Sequence, residues 1–307
     1  MTLLDVVHHD GYTIALPPTH PFPMRKFAEL RALLDGGPYR FHAAPEATRA
    51  QLEAVHDAAY LDALAGNGVG EREQRRSGFA LTPEIFARCR LETGGTCRTV
   101  ELALTAGLAC NAAGGTHHAH RDFASGYCLL NDLAVAVHHA RTLGVRRVMI
   151  VDCDVHQGDG TARLLADDPD AFTVSVHCAE NFPARKAASD RDIALPRGTG
   201  DDAYLQALES ELPALLDRVR PELVLYDAGV DVHADDRLGH LRLGDDGLSR
   251  RDACVIGAVR GRGIPLAGVI GGGYDRDVLL LAARHARLFR AAADYLAAGA
   301  GAKAGAM

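Results

Sequence analysis

No pair of cysteines in the 307-residue sequence is spaced Cys-x-x-Cys. The seven present, Cys89, Cys97, Cys110, Cys128, Cys153, Cys178 and Cys254, are odd in number and dispersed. That excludes a zinc ribbon or a disulfide framework and fits thiols kept reduced in a cytosol. No apolar run approaches the roughly 18 residues a membrane helix needs, and the opening MTLLDVVHHDGY lacks the basic and apolar regions of a secretory signal. A cytoplasmic protein without a membrane partner is expected. There is no basic block either: the formal net charge is -7 and the arginines are scattered, so no direct nucleic-acid partner is expected. From about residue 87 onward no linker rich in Pro, Gly and Ser interrupts the chain.

What is present is an ordinary globular composition, 48% hydrophobic and 24% charged, enough to bury a sizeable core. Four short runs rich in Val, Ile and Leu, at 146–154, 171–178, 221–229 and 264–273, read as strands buried on both faces. Between them lie amphipathic stretches such as DDAYLQALESELPALLDRVR (201–220), acidic at the start and basic at the end as a helix dipole favours. This alternation predicts an α/β fold: one domain, a three-layer αβα sandwich with a mainly parallel central sheet. Helices expected at 20–34 and 48–66 pack onto it. The domain is placed at 1–300 and a low-complexity tail at 301–307.

In open α/β sheets, ligands bind beyond the carboxyl ends of the strands, and three predicted strands end in reactive side chains. One runs into DCDVHQGDG, with Asp152, Asp154, His156 and Asp159; one reaches Asp231; one reaches Tyr274. Asp154 and His156 are two apart and point the same way on an extended segment. With Asp231 they make two carboxylates and an imidazole around a divalent ion, with room left for water. A plainer reading makes Asp154 a helix cap and His156 a solvated loop residue. The segment DCDV also resembles the opening of haloacid-dehalogenase-type phosphatases, with Asp152 as nucleophile and Asp154 as acid/base, but such enzymes usually carry the motif near the chain start and need a later lysine, and the chain has few, Lys26, Lys186 and Lys303.

Three His-His doublets compete for a role. His8 and His9 fall in an expected edge strand with no glycine or acid cluster near, and read as surface histidines. His138 and His139 fall in an expected helix, where adjacent residues face about 100° apart. His117 and His118 follow Gly114 and Gly115, which permit unusual backbone angles and close approach. Asp152 and Asp159 are left over to accept hydrogen bonds from these imidazoles and set their tautomers. His120, three residues from His117, reads as a surface rim residue.

Taken in order, GGTHHA, SGYCLLND, VDCDVHQGDG, VSVH, AGVD and GGGY resemble the histone deacetylase superfamily of zinc-dependent deacylases, with its arginase-deacetylase fold, over about residues 15 to 295. HPFPMRKF, RLETGGT, GTGDDAYL, DDRLGHLRL and RGRGIP further resemble its class IV branch and bacterial members. The resemblance implies Asp154, His156 and Asp231 as zinc ligands, with Fe2+ as the other metal such a set accepts. It implies His118 as principal general base and acid with Asp159, His117 as its electrostatic partner with Asp152, and Tyr274 as donor to the oxyanion. It also implies a structural potassium ion bound through Asp152, Asp154, His156, Ser175 and Val176. Tyr127, Phe182 and Leu238 stand at the wall positions of an acyl-lysine tunnel, and Gly126 where a carbonyl receives the lysine amide. Tyr127 occupies a position more often phenylalanine. Leu238 stands where acetylpolyamine deacetylases carry a glutamate. The implied reaction is hydrolysis of an Nε-acyl-lysine amide in a protein or peptide. The alternatives are a small-molecule amidohydrolase of the same fold and a silent metal-bound acyl-ligand binder.

Overall fold

A computed structural model describes residues 2–66, 68 and 70–304. In chain order it runs β1 (Leu4–His8), α1 (Lys26–Leu34), β2 (Tyr39–Ala43), α2 (Arg49–Glu53), α3 (Ala58–Ala65), α4 (Glu71–Ser77), α5 (Pro83–Ala106), β3 (Leu108–Asn111), α6 (Asp132–Thr142), β4 (Val148–Asp152), α7 (Asp159–Leu164), β5 (Ala171–Cys178), β6 (Arg191–Leu195), α8 (Asp201–Val219), β7 (Leu223–Asp227), α9 (Asp245–Arg260), β8 (Leu266–Val269) and α10 (Val278–Ala304). Among the described residues the strands form one eight-stranded sheet in the order β2-β1-β3-β8-β7-β4-β5-β6. Every pairing is parallel. The central strands β3, β4, β7 and β8 are buried at every position, so apolar side chains are needed on both faces.

The two faces carry different helices. Asn111, at the end of β3, donates to Glu92 O and Thr96 Oγ1 of α5. Its neighbour Cys110 is in register with Gly268 of β8, and Gly268 with Tyr226 of β7. These point the opposite way: the Tyr226 hydroxyl donates to Asp252 of α9 at 2.7 Å, and Gly268 faces Leu288 of α10. Helix α6 packs beside α5, α1 beside α10 and α8 beside α9. The result is the three-layer α/β fold.

Three local expectations change. The segment holding His8 and His9 is internal, because β1 lies between β2 and β3 and the edge falls to β2. The helix expected over 48–66 is two, α2 and α3, separated by a turn that buries the His56 ring. Helix α10 continues to Ala304, into the stretch read as a tail, and residues 305–307 of that tail lie outside the described residues.

Candidate metal and catalytic site

Strands β3, β8, β7 and β4 are consecutive neighbours in the sheet, so their carboxyl ends bring together segments far apart in the chain. The loop after β3 carries His117 and His118, that after β4 carries Asp154 and His156, that after β7 carries Asp231, and that after β8 carries Tyr274. Arg251 of α9, fully buried, ties two of these loops together by donating to the carbonyls of Cys153, Ala228 and Gly229.

Asp154, His156 and Asp231 are buried, and one ligand atom from each lies within 4.8 Å of the others. Backbone donors aim the carboxylates. Asp154 Oδ1 accepts from His156 N at 2.9 Å and Oδ2 from Gly272 N at 2.8 Å, while Asp231 Oδ1 accepts from Val155 N at 2.8 Å. Asp231 Oδ2 lies 3.1 Å from His156 Nδ1 yet accepts no well-directed hydrogen bond. A buried carboxylate oxygen without a donor is costly, and a cation among these three groups removes the cost. Burial, and then the charge of Asp154, pushes the Asp231 carboxyl up to about 7. The donor set therefore fits a divalent metal ion. Asp154 does not cap a helix, and His156 is not solvated.

The tandem histidines diverge in partner and charge. His117 Nδ1 meets Asp152 Oδ2 at 2.7 Å and His118 Nδ1 meets Asp159 Oδ1 at 2.8 Å, with ring centroids 4.2 Å apart. Burial works against a charge on His117, but Asp152 and Asp154 outweigh it and hold its pKa well above the usual value. For His118, burial and the charge of His117 prevail over Asp159 and lower the pKa to about 3. A carboxylate only accepts, so the His118 proton sits on Nδ1 and the Nε2 lone pair is free to take another.

A cleft of about 250 Å³ opens onto His118, His156 and Tyr274, with Gly126, Tyr127, Phe182 and Leu238 along its sides and Arg76 and Asn181 completing the lining. Phe182 and Leu238 are 44% and 38% exposed, so two apolar side chains stand open along the cleft. The Phe182 ring stands edge-on to His118 at 4.8 Å, and the Tyr127 ring lies 5.7 Å from that of Tyr274. Tyr127 has φ 65° and Gly126 φ 54°. Tyr127 is held there by donating its N–H to Ser77 O. At Gly126 a Cβ would come within 2.5 Å of His118 Cδ2, so this turn admits only glycine. Burial, and then Asp154 and Asp231, keep the Tyr274 phenol protonated far above its usual range.

The sequence model of the histone deacetylase domain matches residues 20–288. The chain belongs to the histone deacetylase family. It is 30% identical over 294 residues to histone deacetylase 2 of Arabidopsis thaliana, covering 90% of this chain and 76% of that one. It is 32% identical over 256 residues to the histone deacetylase-like amidohydrolase of Pseudomonas aeruginosa, covering 77% and 66%. An uncharacterized protein of a Picosynechococcus strain is 47% identical over 294 residues, covering 94% and 98%. The fold is similar to the crystal structure of the HDA15 HD domain, with a TM-score of 0.77 at 22% identity over 93% of this chain and 87% of that one.

In this histone deacetylase family member several site residues were not evident from the sequence. Asp227, the last residue of β7, joins His117 and Asp152 in a second buried cluster within 4.8 Å. In the sequence it stands only as the end of a predicted strand, although an acid closing an otherwise apolar run is a usable signal. Asp132, in SGYCLLND, accepts from the N–H groups of Gly115 and Thr116 and from the hydroxyls of Thr96 and Thr116, and so shapes the loop before the histidines. His120 is buried rather than on the rim and lies 3.2 Å from Asp159. Ser175 is in register with Asp152, and its hydroxyl meets His177 Nδ1 at 3.0 Å. Val176 follows it, fully buried in β5. The phosphatase reading has no support: Asp152 is buried with its oxygens engaged by His117 and the N–H of Asp154. His138 and His139 lie on α6, where His139 pairs with Glu101.

Proposed function

We propose that the protein hydrolyses Nε-acyl-lysine in proteins or peptides, releasing lysine and a carboxylate. The observation that carries this reading is the pairing of each tandem histidine with its own aspartate beside the Asp154, His156 and Asp231 cluster, at the base of a cleft walled by Tyr127, Phe182 and Leu238. Asp154, His156 and Asp231 would hold a zinc ion, or Fe2+, which would supply Lewis-acid polarisation of the amide carbonyl and of a water molecule.

The chain's own groups do the rest. His118 Nε2 takes a proton from the attacking water and passes it to the departing lysine amine. His117 stays protonated on Asp152. The Tyr274 hydroxyl donates to the carbonyl oxygen as it gains negative charge. Gly126 presents its carbonyl to the substrate amide, and the apolar walls enclose the lysine methylenes. We also assign the oxygens of Asp152, Asp154, His156, Ser175 and Val176 to a structural potassium ion. The seven free cysteines support a reducing, cytoplasmic setting.

An acetylpolyamine substrate is disfavoured. Among the described residues, those lining the cleft include Arg76 and no carboxylate, so a second cationic amine would meet like charge. The test is turnover of the zinc-loaded protein on acetyl-, lactoyl- and long-chain acyl-lysine peptides beside acetylpolyamines. Acyl-lysine turnover that disappears in His118→Ala supports the reading. Turnover of polyamines alone overturns the substrate, and turnover of neither overturns the enzyme.

A further inference from the structure

We infer that His120 is a positioning residue for the general base, holding the second oxygen of Asp159 so that the first stays on His118. This rests on the reading of His118 as the base. Asp159 has two oxygens and two imidazole neighbours: Oδ1 meets His118 Nδ1 at 2.8 Å and Oδ2 lies 3.2 Å from His120 Nε2. A carboxylate only accepts, so His120 carries its proton on Nε2. Burial opposes ionisation of Asp159, yet the His118 and His120 imidazoles outweigh it and hold the carboxyl well below the usual range.

His120 is itself rigidly placed. Its ring stacks on Phe123 with centroids 4.1 Å apart, and the Arg76 guanidinium lies 4.3 Å from the Phe123 centroid. Its N–H donates to Phe123 O, and its carbonyl accepts from His56 Nδ1 at 2.9 Å. His56 Nε2 in turn accepts the N–H of Asn131, which caps α6. The orientation of Asp159 is thus tied to the frame of α6. His120 also lines a second cleft of about 530 Å³ that shares no lining residue with the substrate cleft, so substrate does not touch the residue that steadies the base.

With Oδ2 released, the Asp159 carboxylate is free to rotate and holds the His118 ring less firmly. Outer partners of this kind typically change activity by about 10- to 100-fold. Two variants separate the polar contact with Asp159 from the packing. His120→Phe keeps a ring on Phe123 but has no N–H; His120→Gln keeps an N–H at the same reach. The expected result for His120→Phe is a kcat lowered about tenfold or more, with KM and melting temperature close to wild type, and recovery of most of that loss in His120→Gln. In an Asp159→Asn background, His120→Phe should cost nothing further, because it acts through the carboxylate. The low-field proton resonance of the His118 Nδ1–H reads the same bond without turnover. It should persist in His120→Gln and broaden or vanish in His120→Phe.

An unchanged resonance in His120→Phe, equal losses in both variants, or additive losses with Asp159→Asn would overturn the inference. Absence of acyl-lysine turnover in the wild type would instead overturn the functional reading, and the resonance would still decide on His120.

Discussion

Two adjacent histidines of identical chemistry are set apart by what lies behind them. His117 faces Asp152, with Asp154 and Asp227 close by, and holds a proton. His118 faces Asp159, which it shares with His120, and stays neutral. The general base therefore follows from the number of carboxylates within reach rather than from the motif. Tyr274 completes the set, its phenol protonated by burial. Replacing it with phenylalanine removes a donor that acts only as charge develops, so kcat should fall roughly 100- to 1000-fold while the melting temperature holds. Steady-state kinetics and a thermal melt on one preparation check this. Gly126→Ala is the complementary case. Its φ of 54° and the His118 ring beside it leave no space for a methyl group, so activity should collapse with secondary structure retained by circular dichroism.

At the scale of elements, the central strands were legible because burial on both faces demands unbroken apolar runs. Strand β5 (Ala171–Cys178) falls at the expected residues, and β4, β7 and β8 lie inside the expected runs. The edge strands were not legible: Tyr39–Ala43 and Arg191–Leu195 mix charged and apolar residues because one side meets solvent. Strand β3, four residues long and directly after a 24-residue helix, is too short to show a period of its own. The grouping of Asp154, His156 and Asp231 was legible because they follow the ends of two predicted strands, β4 and β7. His120 was not, because Asp159, 39 residues on, meets it only through tertiary folding.

The turn between α2 and α3 yields a test at this scale. Burial lowers the His56 pKa to about 4, below the 6.5 of an unfolded histidine. A group depressed in the folded state supports the fold fully above pH 6.5, and the support is lost as pH falls from about 6.5 toward about 4, amounting to about 3 kcal/mol. Urea unfolding at pH 7, 5.5 and 4 should show a flatter pH dependence for His56→Gln than for wild type. Identical slopes would contradict the placement of His56. Asn131→Ala removes the α6 cap and the donor to Ala119 O and Thr161, and should cost about 1 to 3 kcal/mol in the same measurement.

At the scale of the whole molecule, the parallel sheet gathers the ends of its four central strands at one edge, where buried carboxyl groups accumulate. Asp152, Asp154, Asp227 and Asp231 are at most 3% exposed, and such a concentration of carboxylates calls for cations. Among the described residues no helix is long and apolar enough to cross a membrane. Exhaustive chelation should therefore lower the melting temperature as well as abolish activity, and Zn2+ or Fe2+ should restore both. A chelated protein that melts at the temperature of the metal-loaded one would argue against an ion at Asp154, His156 and Asp231.

The most direct measurement is release of the acyl carboxylate from Nε-acyl-lysine peptides by the zinc-loaded protein, with acetylpolyamines and the Tyr274→Phe and His118→Ala variants run in parallel. The account predicts turnover of the acyl-lysine peptides, little or none of the polyamines, and a loss of at least 100-fold in each variant. Absence of turnover on every amide, or turnover indifferent to both substitutions, would contradict it.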